Sequence, residues 1–474
     1  MRRLLLLALA ACGGPSVPPA VGNFPPGFLW GAAIAPYQVE GGLHGDDWYA
    51  WETVCTLCSG ERADDGPDFL AHWEEDLDAA QAMKHTTIRL GLDWSRLFPT
   101  AGDTPDPAAV AQYHQILAGA RARGLEPMVT LHHFATPVWL DGGWENPDAA
   151  TRFGEWAAWA ATEYGAEVDW WVTINEPMAL VAGGYLGGVF PPGHVLDTAG
   201  GLRALDAMLD GHVRAYDAIH AADPVARVSI ASHNRVFQPK TAGNANDERA
   251  AALLRYVNNT FFFEACVRGR RDLNWDLDFD DPGETGLTQY LGRMDWAGIN
   301  YYGLSLVVGQ AGGTPPFVGL TVMNDLDRQG IDAAITDFGW AIVPGGLRTV
   351  LDEVAPFGLP ILITENGLAD ADDDQRPRFL VEHLYEVARA IDDGIDVRGY
   401  YHWTLMDNFE WAAGYCPRFG LMEVDFDSPQ RTRRVRPSAA VYTRIIQDGT
   451  VDPNLFAEFP SYGESKVKCT RQGF

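Results

Sequence analysis

Eight short apolar, β-rich runs recur along the chain, at residues 29–33, 86–92, 126–132, 170–175, 227–232, 296–301, 361–365 and 398–403, with helix-length segments between them. A strand that is apolar almost throughout is buried on both faces. Parallel strands covered by helices are in that position, and eight of them can close on themselves. The expected fold is therefore α/β, a single (β/α)8 TIM barrel. Apolar spacing over 144–166 and 378–391 predicts two amphipathic covering helices. A length of 474 residues with 47% hydrophobic residues supplies an ample core, and barrels beyond about 250 residues occur as one unit. No low-complexity linker interrupts 24–459, which is read as one domain, with 460–474 as a C-terminal tail.

In such barrels the chemistry gathers where the strands end. Down the chain those positions hold Gln38, Arg89, His133, Asn175 with Glu176, Asn234, Asn300 with Tyr302, Glu365 with Asn366, and Trp403. Singly each has a plain structural explanation, because an Asn after a strand is commonly a turn former and a His there is commonly satisfied in the core. Polar residues at all eight ends together predict a shared cleft.

Two carboxylates stand out. Glu176 lies in Thr173-Ile174-Asn175-Glu176-Pro177 and Glu365 in Ile363-Thr364-Glu365-Asn366-Gly367; each ends an apolar strand and precedes a chain breaker. On the fourth and seventh barrel strands they would face one another across the mouth. Cleavage of a glycosidic bond with retention needs such a pair about 5 Å apart, one protonating the leaving oxygen and one attacking the anomeric carbon. Arg89 is a candidate to keep one of them ionised. The chain also carries 16 Trp, 16 Tyr and 22 Phe, with Trp139, Trp144, Trp340, Trp403 and Trp411 in or near the strand-end loops. Indoles pack against the apolar C–H faces of sugars as readily as they fill cores.

Asp and Glu number 64 against 35 Lys and Arg, a formal charge of -29, which disfavours nucleic acid and anionic membrane surfaces as partners. Arg2 and Arg3, the apolar run that follows and Leu9-Ala10-Ala11-Cys12 read as an export signal over 1–11 that is too short to span a bilayer. The tetrapeptide resembles a bacterial lipobox, which implies cleavage before Cys12, acylation of that residue, and a Pro/Gly tether over 12–23. The expected location is the bacterial cell envelope, held by lipid alone, and the absence of an acidic residue at Gly13 favours the outer membrane. Among the other five cysteines, Cys55 and Cys58 are close enough to close a small loop, as a bonded or a free pair, and no second matching pair exists for a zinc site.

Phe28-Leu29-Trp30-Gly31-Ala32-Ala33 with Tyr37-Gln38-Val39-Glu40-Gly41-Gly42 resembles the amino-terminal signature of glycoside hydrolase family one, the β-glucosidase family. Trp94-Ser95-Arg96, His132-His133-Phe134, Asn175-Glu176-Pro177, Gly298-Ile299-Asn300-Tyr301-Tyr302, Thr364-Glu365-Asn366-Gly367 and Asn408-Phe409-Glu410-Trp411 follow in that family's order, from about 24 to 442. The resemblance implies a retaining exo-β-glycosidase with no metal or other cofactor, Glu176 being the acid/base and Glu365 the nucleophile. It implies that Gln38, His133, Asn175, Glu410 and Trp411 bind the nonreducing-end sugar over Trp403, and that Arg89, Asn300 and Tyr302 surround Glu365. Trp340 would wall the aglycone side, with Asn234 a weaker candidate there. Implied substrates are β-linked oligosaccharides or aryl and alkyl β-glycosides. Ala412-Ala413-Gly414-Tyr415 stands where relatives that take 6-phospho-sugars carry Ser and Lys, favouring a neutral sugar, and the presence of Glu176 argues against the thioglucoside-cleaving branch. Ile34, Ala135 and Ala341 depart from the family pattern; Ala135 is expected to loosen the loop of His133. A transglycosidase using the same site and a catalytically inactive carbohydrate-binding lipoprotein are the alternative readings.

Overall fold

A computed structural model describes residues 18–102, 104–310, 315–322, 333–465 and 467–469. The expected export signal at 1–11 and the acylated Cys12 lie outside the described residues.

The eight runs form eight parallel strands: β1 (Leu29–Ala33), β2 (Thr87–Gly91), β3 (Glu126–His132), β4 (Trp170–Asn175), β5 (Arg227–Pro239), β6 (Ala297–Gly309), β8 (Ile361–Asn366) and β9 (Val397–Trp403). Neighbours pair in the order β5-β4-β3-β2-β1-β9-β8-β6, and β5 pairs with β6 to close the barrel. Inside it Ala33, Met128, Val172, Ala231, Leu362 and Tyr401 pack together, while a larger apolar layer lies between strands and covering helices. Two strands outrun their apolar runs. The outer halves of β5 and β6 continue to pair, Val236 with Leu304 through Pro239 with Val307, and an antiparallel strand not expected from the sequence, β7 (Gly319–Val322), joins β6. Cross-strand hydrogen bonds hold these extensions above the barrel mouth, and Val236, Leu304 and Leu306 add a small apolar cluster with Ala341.

The predicted helix at 378–391 is observed as Arg376–Asp392. The one predicted at 144–166 begins later, as Ala149–Tyr164, and Trp144 sits in a preceding single turn, Gly143–Glu145. The helical spacing reads through Asn146-Pro147, but proline lacks the amide hydrogen and disfavours helix at the residue before it. The described part of the tether meets the barrel where the strands begin: Gly22 N donates to Asp392 Oδ2 at 2.8 Å, and Phe24, the first residue after the tether, donates its N–H to Gly449 O at 2.8 Å. The described part of the tail lies at the other end. Gln375 Nε2 donates to Gly463 O at 2.7 Å, Ser465 Oγ to Asp337 Oδ1 at 2.7 Å, and Cys469 is disulfide-bonded to Cys416. Cys55 and Cys58 are likewise bonded, and Cys266 is free and buried. Among the described residues no helix is long and apolar enough to cross a membrane.

Candidate active site

β2 aims Arg89 into the barrel, 1% exposed, where its guanidinium is fully committed. Nε donates to Thr130 Oγ1 at 3.1 Å, Nη1 to Glu365 Oε1 at 2.5 Å and Nη2 to Asn175 Oδ1 at 2.6 Å. Because Asn175 Oδ1 accepts from Arg89 and from Asn300, its Nδ2 is the donor to His133 Nε2 at 3.1 Å. That fixes the His133 tautomer with hydrogen on Nδ1. Burial, with Arg89 and His132 nearby, holds the His133 pKa well below its ordinary value, so the ring is neutral.

The two carboxylates belong to β4 and β8, three strands apart round the closed barrel. Glu176 follows β4 in a left-handed conformation, φ 45°, and Pro177 opens the next helical turn. Phe134 and Trp411, both in the cleft wall, also have positive φ, 67° and 49°. Such non-glycine conformations cost about 1–3 kcal/mol each and persist where the surroundings over-determine them. Glu365 lies within β8, and Gly367 two residues on allows the close approach of β9, since a Cβ there would meet Trp403 O at 1.9 Å.

Each carboxylate has its own partners. Tyr302 Oη donates to Glu365 Oε2 at 2.6 Å, opposite the Arg89 contact. Asn300 Nδ2 donates to Glu176 Oε1 at 2.8 Å, and His233 Nδ1 lies 3.0 Å from Glu176 Oε2. Burial pushes the Glu365 pKa up to about 7, against Arg89 and with the help of the Glu176 charge. Burial would also raise Glu176, but the His233 ring, the Asn300 amide and Arg89 outweigh it and hold that carboxyl below its ordinary value. The second direction depends on His233 carrying a charge. With a neutral ring Glu176 keeps only dipolar partners at contact, whereas Glu365 keeps a guanidinium, and the proton the pair shares moves to Glu176.

Beside this pair lies a polar and aromatic pocket. His133 stacks between Trp403 and Trp411, ring centroids 5.8 Å and 5.9 Å away. Gln38 Nε2 donates to Phe409 O at 2.8 Å and reaches Glu410 Oε2 at 3.5 Å. Burial and the charges of Glu365 and Glu176 push the Glu410 pKa up to about 8. Gln38 Oε1 and His133 Nδ1 are buried and bond to nothing among the described residues. An acceptor and a donor left open beside a carboxyl and indole faces suit a polyhydroxylated ring. The loop bearing Glu410 and Trp411 is clamped by a buried ion pair: Arg436 Nη1 and Nη2 each lie 2.8 Å from Asp407, whose Oδ1 also accepts from Gly420 N. The His133 loop, expected to be loose around Ala135, is tied by Asp47, which accepts from Thr136 N at 3.0 Å and donates its own amide to Thr136 O at 2.9 Å.

The cleft brings together Gln38, Arg89, His133, Asn175, Glu176, Asn300, Tyr302, Glu365, Trp403, Glu410 and Trp411, with Trp340 alongside, its ring centroid 5.6 Å from that of Tyr302. Asn234 is wholly enclosed and donates to Asn259 O at 3.3 Å; its neighbours His233 and Arg235 are the ones near Glu176 and Trp340. Trp139 and Trp144 turn to packing, their indole nitrogens donating to Phe98 O and His132 Nε2. Sequence reasoning missed His233, Arg235 and the Asp407–Arg436 clamp. His233 was legible only as a polar residue beside Asn234 at a strand end. The grouping of carboxylates close enough to hold a metal ion among the described residues, Asp370, Asp372 and Asp374, shares no residue with this cleft.

A sequence model of glycosyl hydrolase family 1 matches residues 20–450. A β-galactosidase of Pyrococcus woesei is 30% identical over 92% of this chain and 99% of its own. Beta-glucosidase A of Thermotoga maritima is 29% identical over 91% and 99%. Among solved structures, the β-glycosidase of Thermosphaera aggregans superposes with a TM-score of 0.81 at 27% identity, covering 93% of this chain and 100% of that one. The family 1 β-glucosidase of Thermotoga maritima gives 0.82 at 28%, covering 91% and 99%.

Proposed function

The chain belongs to glycosyl hydrolase family 1, and on that premise we propose that it is a retaining exo-β-glycosidase releasing the nonreducing-end β-D-glycosyl residue through a covalent intermediate. The observation that carries this reading is the unlike environment of two buried carboxylates, Glu365 between Arg89 and Tyr302 and Glu176 between Asn300 and His233. Glu365 attacks the anomeric carbon while Glu176 gives its proton to the departing aglycone oxygen, and the old C–O bond breaks. Esterification consumes the charge of Glu365, which lowers the pKa of Glu176 and turns it into the base that deprotonates the incoming water. Water then takes the anomeric carbon, Glu365 leaves as carboxylate, and the product keeps the β configuration. Gln38, His133, Asn175, Glu410 and Trp411 hold the sugar hydroxyls over Trp403, Arg89, Asn300 and Tyr302 tune the pair, and Trp340 walls the aglycone. Names of relatives, β-galactosidase and β-glucosidase, support β-glucosides and β-galactosides as substrates.

The test is hydrolysis of aryl β-D-glucoside, galactoside and fucoside by the protein and by Glu365→Gly and Glu176→Ala. Release by the parent with first-formed β-sugar supports the reading. Azide should rescue Glu365→Gly as the α-glycosyl azide and Glu176→Ala as the β-glycosyl azide. No release by the folded parent overturns it.

We infer further, from the Leu9-Ala10-Ala11-Cys12 pattern, that the mature chain begins at an acylated Cys12 and is held in the bacterial cell envelope by lipid alone. The contacts of Gly22 in the tether with Asp392, and of Phe24 just after it with Gly449, lie at the strand-start end and support an anchor opposite the cleft, whose mouth then opens away from the bilayer. Incorporation of a fatty-acid label that Cys12→Ser abolishes is the expected result; a soluble, unlabelled parent chain overturns it.

A further inference from the structure

Among the described residues four arginines are at least nine-tenths buried: Arg89, Arg235, Arg376 and Arg436. Three of them meet a carboxylate, Arg89 with Glu365, Arg376 with Asp373 and Arg436 with Asp407. Arg235, 6% exposed, does not. Its Nε donates to Ser305 Oγ at 2.9 Å and its Nη2 to Leu304 O at 3.4 Å, neutral acceptors on β6. Its Nη1 bonds to nothing among the described residues and is not sealed from solvent. Burial pushes its pKa down, to about 10, with Tyr301 and Glu176 opposing only in part, so the group stays cationic at neutral pH.

A buried charge without a counter-charge costs several kcal/mol, and proteins rarely carry one without a use for it. The place of this one is specific. Its Cζ lies 5.7 Å from the Trp340 ring, Trp340 is 5.6 Å from Tyr302, and Tyr302 donates to Glu365. Arg235 therefore stands in the wall on the side where the leaving group departs. Three carboxyls share the cleft with Arg89, Glu176 and Glu365 buried and Glu410 partly exposed, and the chain as a whole carries -29. Arg89 is already held by Glu365 and Asn175, so among the described residues of the cleft this fork is the guanidinium left open to an anionic aglycone. Ser305 and Leu304 fix Nε and Nη2, leaving the remaining face of the guanidinium for an oxyanion.

We propose that Arg235 forms an anion-recognising subsite, so that the preferred glycosides carry an oxyanion, a carboxylate or a phosphate ester, on the aglycone. The proposal rests on the glycosidase reading above and adds the chemical class of its leaving group. The experiment compares three aryl β-D-glucosides, with a carboxylate, a phosphate ester or an uncharged carboxamide on the ring, in the parent enzyme, Arg235→Lys and Arg235→Met. Leaving-group reactivity cancels when each charged-to-neutral ratio of kcat/KM is compared between enzymes. The parent should favour at least one charged probe, and which one tells carboxylate from phosphate. Arg235→Met should lower that ratio roughly 10- to 100-fold while leaving the neutral probe within a few-fold, and Arg235→Lys should fall between. On the unaltered enzyme, raising salt from about 0.05 M to about 1 M should erode the preference, so the idea is testable even if the Met variant fails to fold. Equal ratios in all three enzymes, or a parent that disfavours both anions, overturn the subsite and leave the glycosidase standing. Failure of the parent to cleave the neutral probe overturns the glycosidase reading and this one with it.

Discussion

Asn300 on β6 donates Nδ2 to Glu176 Oε1 at 2.8 Å and accepts on Oδ1 from Thr364 Oγ1 at 2.6 Å, so one amide spans the two strand ends that carry the carboxylates. It also donates to Asn175 Oδ1 at 3.0 Å, which joins it to the Arg89 network. The supports of the two carboxylates are thereby linked, since Arg89, which holds Glu365, and Asn300, which holds Glu176, both bond Asn175 Oδ1.

Replacing Asn300 by Ala should therefore lower kcat far more than it raises KM. Removing one preorganised donor from a buried site costs roughly 100- to 1000-fold in kcat. Steady-state kinetics on aryl β-glucosides, with circular dichroism to show a folded barrel, measure this. A variant within threefold of the parent would show that the bridge is incidental.

His233 should set the alkaline limb of the pH profile. The basic limb of kcat/KM reports loss of the proton from the acid/base, and the His233 ring at 3.0 Å, by its field and its hydrogen bond, lowers the pKa of Glu176. His233→Asn removes that influence, so the Glu176 pKa rises and the basic limb moves to higher pH while the acid limb stays. A limb that stays in place, or moves down, contradicts the assignment.

Stability should fall as pH rises through neutrality. Burial lifts Glu40 to about 7, Glu365 to about 7 and Glu410 to about 8 from an ordinary 4.5. Between pH 4.5 and 8 the folded chain holds protons at these sites that the unfolded chain has lost, and stability drops with pH where the native state binds more protons. The thermal midpoint should thus be higher at pH 5 than at pH 8, and Glu410→Gln should flatten the slope. A midpoint that climbs over this range would refute the account.

Asp407→Asn should destabilise the chain by about 3–5 kcal/mol, because it leaves Arg436 buried and uncompensated. The loop it clamps bears Glu410 and Trp411, so KM should rise as well. The double variant Asp407→Asn with Arg436→Met should regain part of the stability. Chemical denaturation checks this, and a single variant no less stable than the parent would show that the clamp carries no load.

Much of this site was legible from local pattern. Glu176 and Glu365 each end an apolar run and precede a chain breaker, and both signals lie within five residues of the side chain concerned. Asn234 shows where such reading stops. It occupies a strand end as expected, yet the pairing of β5 with β6 shifts register between Asn234 and Val236. Facing along a strand alternates residue by residue, which puts His233 and Arg235 on one side and Asn234 on the other. His233 and Arg235 thereby flank it, while Asn234 is enclosed. Trp139 and Trp144 follow the same logic, since an indole in a strand-end loop meets sugar or core according to a neighbour the sequence does not name.

The sequence by itself determined the eight strands, their alternation with helices and the two carboxylates at their ends, because each depends on hydrophobic period and chain breakers read over a few residues. Only the tertiary structure decided who partners whom. Arg89 reaches Glu365 across 276 positions, Cys416 finds Cys469 across 53, and Arg235 is left without a counter-charge. Those outcomes depend on strand register and barrel closure, which bring distant residues within hydrogen-bonding reach, and a local pattern carries no information about a distance that exists only once the barrel has closed.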